Sequence, residues 1–196
     1  DRKVPAEEVA DVMAQLIREG KIAHWGVSEA NEEYLRKAHA VCPVTAIQNR
    51  YSMMYRDYEK LFPVLEELSI GFVAFSPLAN GFLSAKYNAE TRFDSNKDYR
   101  GEMPQFQREA YGQNIELITL LKNIAAKRNT TTAQIALAWL LGKKPYIVPI
   151  PGTTKIDRMK ENAKSAEVWL TEKEVSEIDI ALNNMQMSTV FGGHKS

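Results

Sequence analysis

Short β-rich runs alternate with amphipathic helical patterns along this chain, and that order constrains the fold most, because it is the order of βα units around a parallel sheet. Four such units are read. Pro5 opens a helix running to about Arg18, with Val9, Val12, Met13, Leu16 and Ile17 at helical spacing and Gly20 ending it. A first strand follows over residues 23–27. Asn31 is placed to cap a second helix carrying Leu35 and Ala38, which leads through Pro43 into a strand over 44–48. A third helix, about 59–68, precedes the strand 71–75. Residues 77–112 then hold Gly, Pro, Asn, Asp and scattered aromatics, read as a functional loop because ordinary connections run about 4–6 residues. Helices over about 114–127 and 132–141, the latter capped by Thr131 or Thr132, lead to the fourth strand, 146–150. One helix follows that strand, and a last one starts near Thr171, where Thr171-Glu-Lys-Glu174 fits a capping box.

Four parallel units leave a structural problem. A parallel sheet that curls into a barrel closes at about eight strands, so the expected fold is α/β, about half of a (β/α)8 TIM barrel. Val27, Ile47, Val73 and Val148 are expected on its inward face, without the opposing strands that fill a barrel interior, and both sheet edges would be open. A missing N-terminal half, a second copy of the chain, or an open sheet of different strand order would each solve this.

The 196 residues, 44% hydrophobic, suffice for a real core. Lys plus Arg equals Asp plus Glu at 25 each, so no basic excess announces nucleic acid or an anionic membrane surface as a partner. Cys42, the one cysteine, can form neither an internal disulfide nor a structural zinc site, which points to a reducing, cytoplasmic setting. No metal is expected. No run approaches the roughly 18 apolar residues of a membrane span, and the first residues lack a signal-peptide core. Position 1 is Asp rather than Met, which favours a fragment or a cleaved product. The P-loop, the Rossmann fingerprint and the Gly-x-Ser-x-Gly elbow do not occur.

The richest chemistry lies in residues 146–162, where the fourth strand runs into a Gly-Thr-Thr turn and a helix carrying Lys155, Arg158, Glu161 and Asn162. A helix N-terminus offers unpaired N–H groups and partial positive charge, so this turn and its two cations suit a phosphate. The spacing of Arg158, Glu161 and Asn162 sets a cation, a carboxylate and an amide on one helical face.

In chain order the sequence reads Gly20-Lys-Ile-Ala-His-Trp-Gly-Val-Ser-Glu29, Ala46-Ile-Gln-Asn-Arg-Tyr-Ser52, Phe75-Ser-Pro-Leu-Ala-Asn-Gly-Phe-Leu83 and Pro149-Ile-Pro-Gly-Thr-Thr-Lys155. Together these resemble the C-terminal half of the aldo-keto reductases, especially the bacterial type, over essentially all of residues 1–196. Each motif ends a predicted strand, the edge where barrel enzymes place ligand contacts. The resemblance implies NADPH-dependent reduction of an aldehyde or ketone, a small-molecule carbonyl substrate, by the intact protein. By that resemblance Ser28 and Gln48 contact the nicotinamide carboxamide, and Phe75 stacks on the ring where the family commonly has Tyr. Ser76, Leu78 and Gly81 follow the pyrophosphate, with Asn80 where an Arg often stands, and Lys86 joins them. Gly152, Thr153, Thr154, Lys155 and Arg158 match the 2′-phosphate site of NADP, with Thr154 in place of a frequent Arg. Glu161 and Asn162 match contacts to the adenine.

The family's proton-donating Tyr, the Lys and Asp that tune it, and the His at the carbonyl site all belong to the N-terminal half, so the resemblance assigns no catalytic residue to this chain. The isolated chain is expected to be inactive. His24, in a strand, His39, on a helix, and His194, in the Gly-rich tail, are read as non-catalytic. Tyr51 and Tyr55 are expected to line the site wall or pack there, and Phe191 is read first as part of a terminal tail and only second as a residue that approaches a substrate. The alternative is a non-catalytic nucleotide-binding or regulatory subunit, as among family members that accompany ion channels.

Overall fold

The computed structural model describes residues 3–94 and 96–190; Phe191 and His194 lie outside them. The chain runs α1 (Ala6–Arg18), β1 (Gly26–Ser28), α2 (Glu32–Val41), β2 (Ala46–Arg50), α3 (Phe62–Glu67) and β3 (Gly71–Phe75). It continues through α4 (Arg108–Gln113), α5 (Ile115–Lys127), α6 (Thr132–Lys143), β4 (Ile147–Pro149), α7 (Ile156–Ala163) and α8 (Glu172–Asn184). The sheet has the order β1-β2-β3-β4, every neighbour parallel. Each crossover carries at least one helix, as a parallel connection requires.

Register decides which residues face the helices. Val27, Ile47, Phe72 and Ile147 fall in one row, and Ser28, Gln48, Val73 and Val148 in the next. The first row packs under the helix layer, with Ile47, Phe72 and Ile147 buried, whereas Val148 in the second is 56% exposed. The expected inward set was therefore mixed: Val73 and Val148 lie on the open face, but Val27 and Ile47 point to the helices. Adjacent residues of a strand face opposite ways, so aligning the strands one residue off exchanges the two sets.

The strand ends shift for related reasons. β1 begins at Gly26 rather than at residue 23, and β2 at Ala46 rather than 44, running on to Arg50. β4 is Ile147–Pro149, one residue shorter at each end than expected, and Pro149 within it has no N–H to give to the ladder. The third helix is in two parts, a 3₁₀ turn at Asp57–Leu61 and then α3, because Pro63 lacks an N–H and fits only the first turn of an α-helix. On α1 the buried residues are Ala6 and Ala10, and Val12, expected on the apolar face, is 52% exposed.

Local capping matches local sequence. The Asn31 side chain accepts from the Tyr34 N–H at 2.8 Å, and complete capping boxes open α6 at Thr131 and α8 at Thr171. α6 is buried from Thr132 to Leu140, a helix apolar on all sides that forms the centre of the helical layer. Tyr51 is fully buried there, its ring 5.5 Å from Phe72, 5.7 Å from Phe62 and 5.6 Å from Trp139, so it packs the core. Its hydroxyl donates to Glu59 at 2.6 Å, and Trp139 Nε1 donates to Asp179 at 2.9 Å, which satisfies both polar tips.

The segment expected as a loop over 77–112 is built of 3₁₀ turns at Ala79–Ser84, Tyr99–Glu102 and Pro104–Phe106, followed by α4. Phe82, Tyr87, Phe93, Phe106 and Tyr111 form an aromatic cluster inside it, with centroids 5.1–5.6 Å apart. That cluster holds the segment against the end of β3. Among the described residues no helix is long and apolar enough to cross a membrane.

Candidate functional site

Where β3 ends, the backbone turns left-handed repeatedly: Ser76 (φ 51°), Ala79 (48°), Asn80 (59°), Gly81 (98°) and Ala85 (54°). Such a conformation costs roughly 1–2 kcal/mol at each residue with a side chain, so the turn persists only because its surroundings hold it. Ala79 N–H donates to Ser76 O and Gly81 N–H to Leu78 O, both at 2.9 Å, and Ser84 Oγ donates to Gly81 O at 2.6 Å. The buried Gln105 reaches in with Nε2 3.3 Å from both Ala79 O and Asn80 Oδ1. Held this firmly, the turn presents small side chains toward one side.

That side is the wall of a cleft of about 660 Å³, within the range of small-ligand sites. Ser76, Leu78, Gly81 and Lys86 line it from the turn, and Gly152, Thr153, Thr154 and Lys155 from the connection after β4. Arg158, Glu161 and Asn162 line it from α7. Ser28, Gln48 and Phe75 are not in its lining. They stand at the ends of β1, β2 and β3 on the open face, Ser28 beside Gln48 and Phe75 beside Arg50. Phe75 leads directly into Ser76, so the two groups of expected residues are contiguous at that peptide bond.

The chemistry of the cleft is that of an anion site. Lys86, Lys97, Arg100, Lys155 and Arg158 line it against the carboxylates Asp98 and Glu161, leaving a positive balance. Lys155 and Arg158 are exposed and have no ion pair among the described residues. Lys155 precedes α7 without a side-chain cap, leaving the first N–H groups of that helix open to a ligand, with Asp157 the acidic residue of the first turn. Thr153 Oγ1 accepts from Lys155 N–H at 3.1 Å and tightens the turn. A Cβ built on Gly152 meets nothing within 4 Å, so the approach there is open. Lys86 Nζ crosses to Glu161 Oε2, and the Glu161 carbonyl accepts from Gln134 Nε2 at 3.0 Å, anchoring α7 to α6. On the open face Ser28 Oγ donates to the Gln48 carbonyl at 3.0 Å, which spends its proton and leaves lone pairs to accept from a ligand amide.

Arg100 escaped the sequence reading. Its guanidinium is gripped by the Asp98 carboxylate, donates to the Tyr87 hydroxyl at 2.6 Å and lies over the rings of Tyr87 and Phe93 at 4.9 and 4.8 Å. Asp98 and Tyr87 hold its pKa above the ordinary arginine value. One of its terminal nitrogens is 3.7 Å from a Cβ built on Gly81, so a fixed cation stands beside the turn although Asn80 carries none. An Asp and an Arg two apart, flanked by aromatics inside a segment of no periodicity, were the available signal. Among the described residues no group of three His, Cys, Asp or Glu side chains could hold a metal ion.

Comparison with known proteins identifies the family and the fold. The chain is 38% identical over 182 residues to the aldo-keto reductase str7 of Strobilurus tenacellus, covering 91% of this chain and 54% of that protein. It is 39% identical over 179 residues to probable aldo-keto reductase 1 of Glycine max, covering 91% of this chain and 51% of that protein. It thus spans about half the length of these relatives. Among solved structures the glycerol dehydrogenase of Gluconobacter oxydans superposes with a TM-score of 0.87 at 25% identity, over 100% of this chain and 60% of that one. The four-stranded parallel sheet is accordingly part of a (β/α)8 barrel. The family model for aldo/keto reductases matches residues 1–183, and the chain belongs to the aldo/keto reductase family.

Proposed function

We propose that this chain is the NADPH-binding, C-terminal half of a reductase acting on an aldehyde or ketone. The observation that carries the reading is the cationic cleft between the Gly81 turn and α7, which Ser76 joins along the chain to Phe75, on the sheet face that also carries Gln48 and Ser28. The residues present fit the group. Lys155 and Arg158 would hold the 2′-phosphate by charge-assisted hydrogen bonds, and the α7 N–H groups would add donors. Ser76, Leu78 and Gly81 give close backbone approach to a pyrophosphate, with Arg100 and Lys86 as counter-charges. Asn162 and Glu161 would face the adenine, and Phe75 the nicotinamide, whose carboxamide Ser28 and Gln48 would orient. When bound, the reduced nicotinamide supplies a hydride to the carbonyl carbon.

Proton donation is assigned to no residue of this chain, because the family resemblance puts that machinery in the other half of the barrel. The remaining βα units would cover the open sheet face; the free, buried Cys42 agrees with a reducing cytoplasmic setting. A fluorescence titration tests the cofactor assignment. NADPH is expected to bind more tightly than NADH, and equal binding of both, or of neither, would refute it. Purified chain of this length is expected to leave NADPH unoxidised in the presence of a reactive aldehyde, and steady oxidation would show that a donor has been overlooked.

A further inference from the structure

Arg50 ends β2 on the open face, two residues beyond Gln48 and paired in register with Phe75. It is 9% exposed, yet no hydrogen bond or ion pair to its side chain is found among the described residues. Its guanidinium instead lies over the Phe75 ring, 5.1 Å from the centroid, and 5.8 Å from that of Tyr55. A buried cation satisfied only by ring faces is expensive to keep unless something uses its charge. Burial itself pulls its pKa below the ordinary arginine value, while the negative charge of Glu29, not in contact, acts the other way. Even so lowered, an arginine stays charged at neutral pH.

We infer that Arg50 makes the nicotinamide subsite cationic, so that the site holds the neutral, reduced ring in preference to the positively charged, oxidised one. The inference rests on the reading of Phe75, Gln48 and Ser28 as nicotinamide contacts. Given that reading, a ring laid on Phe75 lies well within a Debye length of the guanidinium, whose own burial limits its screening by water. The two oxidation states share the adenine, the 2′-phosphate and the pyrophosphate, so every contact in the cationic cleft cancels in the ratio of their affinities. What remains is the ring charge against Arg50. Weak retention of the oxidised form would speed its departure after turnover.

The test is a pair of titrations, NADPH and NADP⁺, on the wild-type protein and on Arg50→Lys and Arg50→Met at one ionic strength. The wild type and the lysine variant are expected to bind NADPH on the order of tenfold more tightly than NADP⁺, the size of effect one partly screened charge gives. The methionine variant is expected to bring the two dissociation constants within about twofold of each other. Equal affinities in the wild type would overturn the inference without need of any variant, as would a methionine variant with the ratio unchanged. Either result would leave the cofactor reading standing, whereas failure of the wild type to bind either dinucleotide would remove that reading and this inference together.

Discussion

Lys86 Nζ stands 3.4 Å from Glu161 Oε2, joining the turn after β3 to α7 across the mouth of the cleft. The contact is long and the lysine nearly half exposed, so as a source of stability it should count for less than about 1 kcal/mol. Its larger effect is to place a cation over the cleft. Lys86→Met is therefore expected to leave the urea midpoint almost unchanged while weakening NADPH binding roughly three- to tenfold. A loss of several kcal/mol in the unfolding curve would make the pair a structural latch instead.

Arg158 and Lys155 line the cleft from the start of α7, and Arg100 lines it from beside Gly81. If the 2′-phosphate lies between them, Arg158→Ala should cost NADPH roughly 1.5–3 kcal/mol of binding and NADH almost nothing. Arg100→Leu should weaken both dinucleotides by similar factors, since the pyrophosphate is common to them. Calorimetric titration of the two variants with both dinucleotides separates these two roles; equal losses for Arg158→Ala would contradict its assignment.

What could be read without coordinates was mostly local. Asn31, Thr131 and Thr171 cap helices by bonds to residues three positions away, and that spacing is visible in the chain. The βα rhythm likewise announces a parallel sheet. Which face Ile47 or Val73 takes is different, because it depends on the register with a strand some 25 residues away. The Gly-Thr-Thr turn and its helix are contiguous and could be recognised as one anion site. Arg100 lies beside Gly81 in a segment gathered by five aromatic rings, and nothing periodic marks that in the sequence. Arg50 was in plain view within a motif, but its burial against Phe75 comes from strand pairing.

Gly26 shows how closely the strands must approach. A Cβ built there falls 2.5 Å from the Ala46 carbonyl oxygen, backbone against backbone, so no side-chain rotation can relieve it. Gly26→Ala is expected to push β1 away from β2 and destabilise the fold by about 1–3 kcal/mol, the usual cost of overpacking. Ser28 lies two residues on and bonds to the Gln48 carbonyl, so the open-face end proposed for the nicotinamide should loosen with it. Denaturant unfolding measures the first effect. A variant as stable as the wild type would show that the edge strand shifts at little cost.

Acid should unfold the protein through two carboxylates that hold helices in place. Glu174 closes the α8 capping box and takes a bond from Arg128; the Thr171 N–H, then Arg128 and the Thr171 hydroxyl, bring its pKa down to about 2. For Glu59, burial raises the pKa, but bonds from Arg56 and Tyr51 and the nearby charge of Lys143 outweigh it and leave the net shift downward. Both folded-state values lie below the ordinary 4.5. The sign follows: the unfolded chain takes up protons first, so the stability these groups contribute is complete above about pH 5 and drains away as the pH falls toward 2. Glu174→Ala removes one of the two groups, and its stability should depend less steeply on pH between about 5 and 2 than that of the wild type. Urea unfolding followed by circular dichroism at pH 7, 4 and 3 measures this, and parallel loss of stability in the two proteins would mean that Glu174 is not an acid-sensitive fastening.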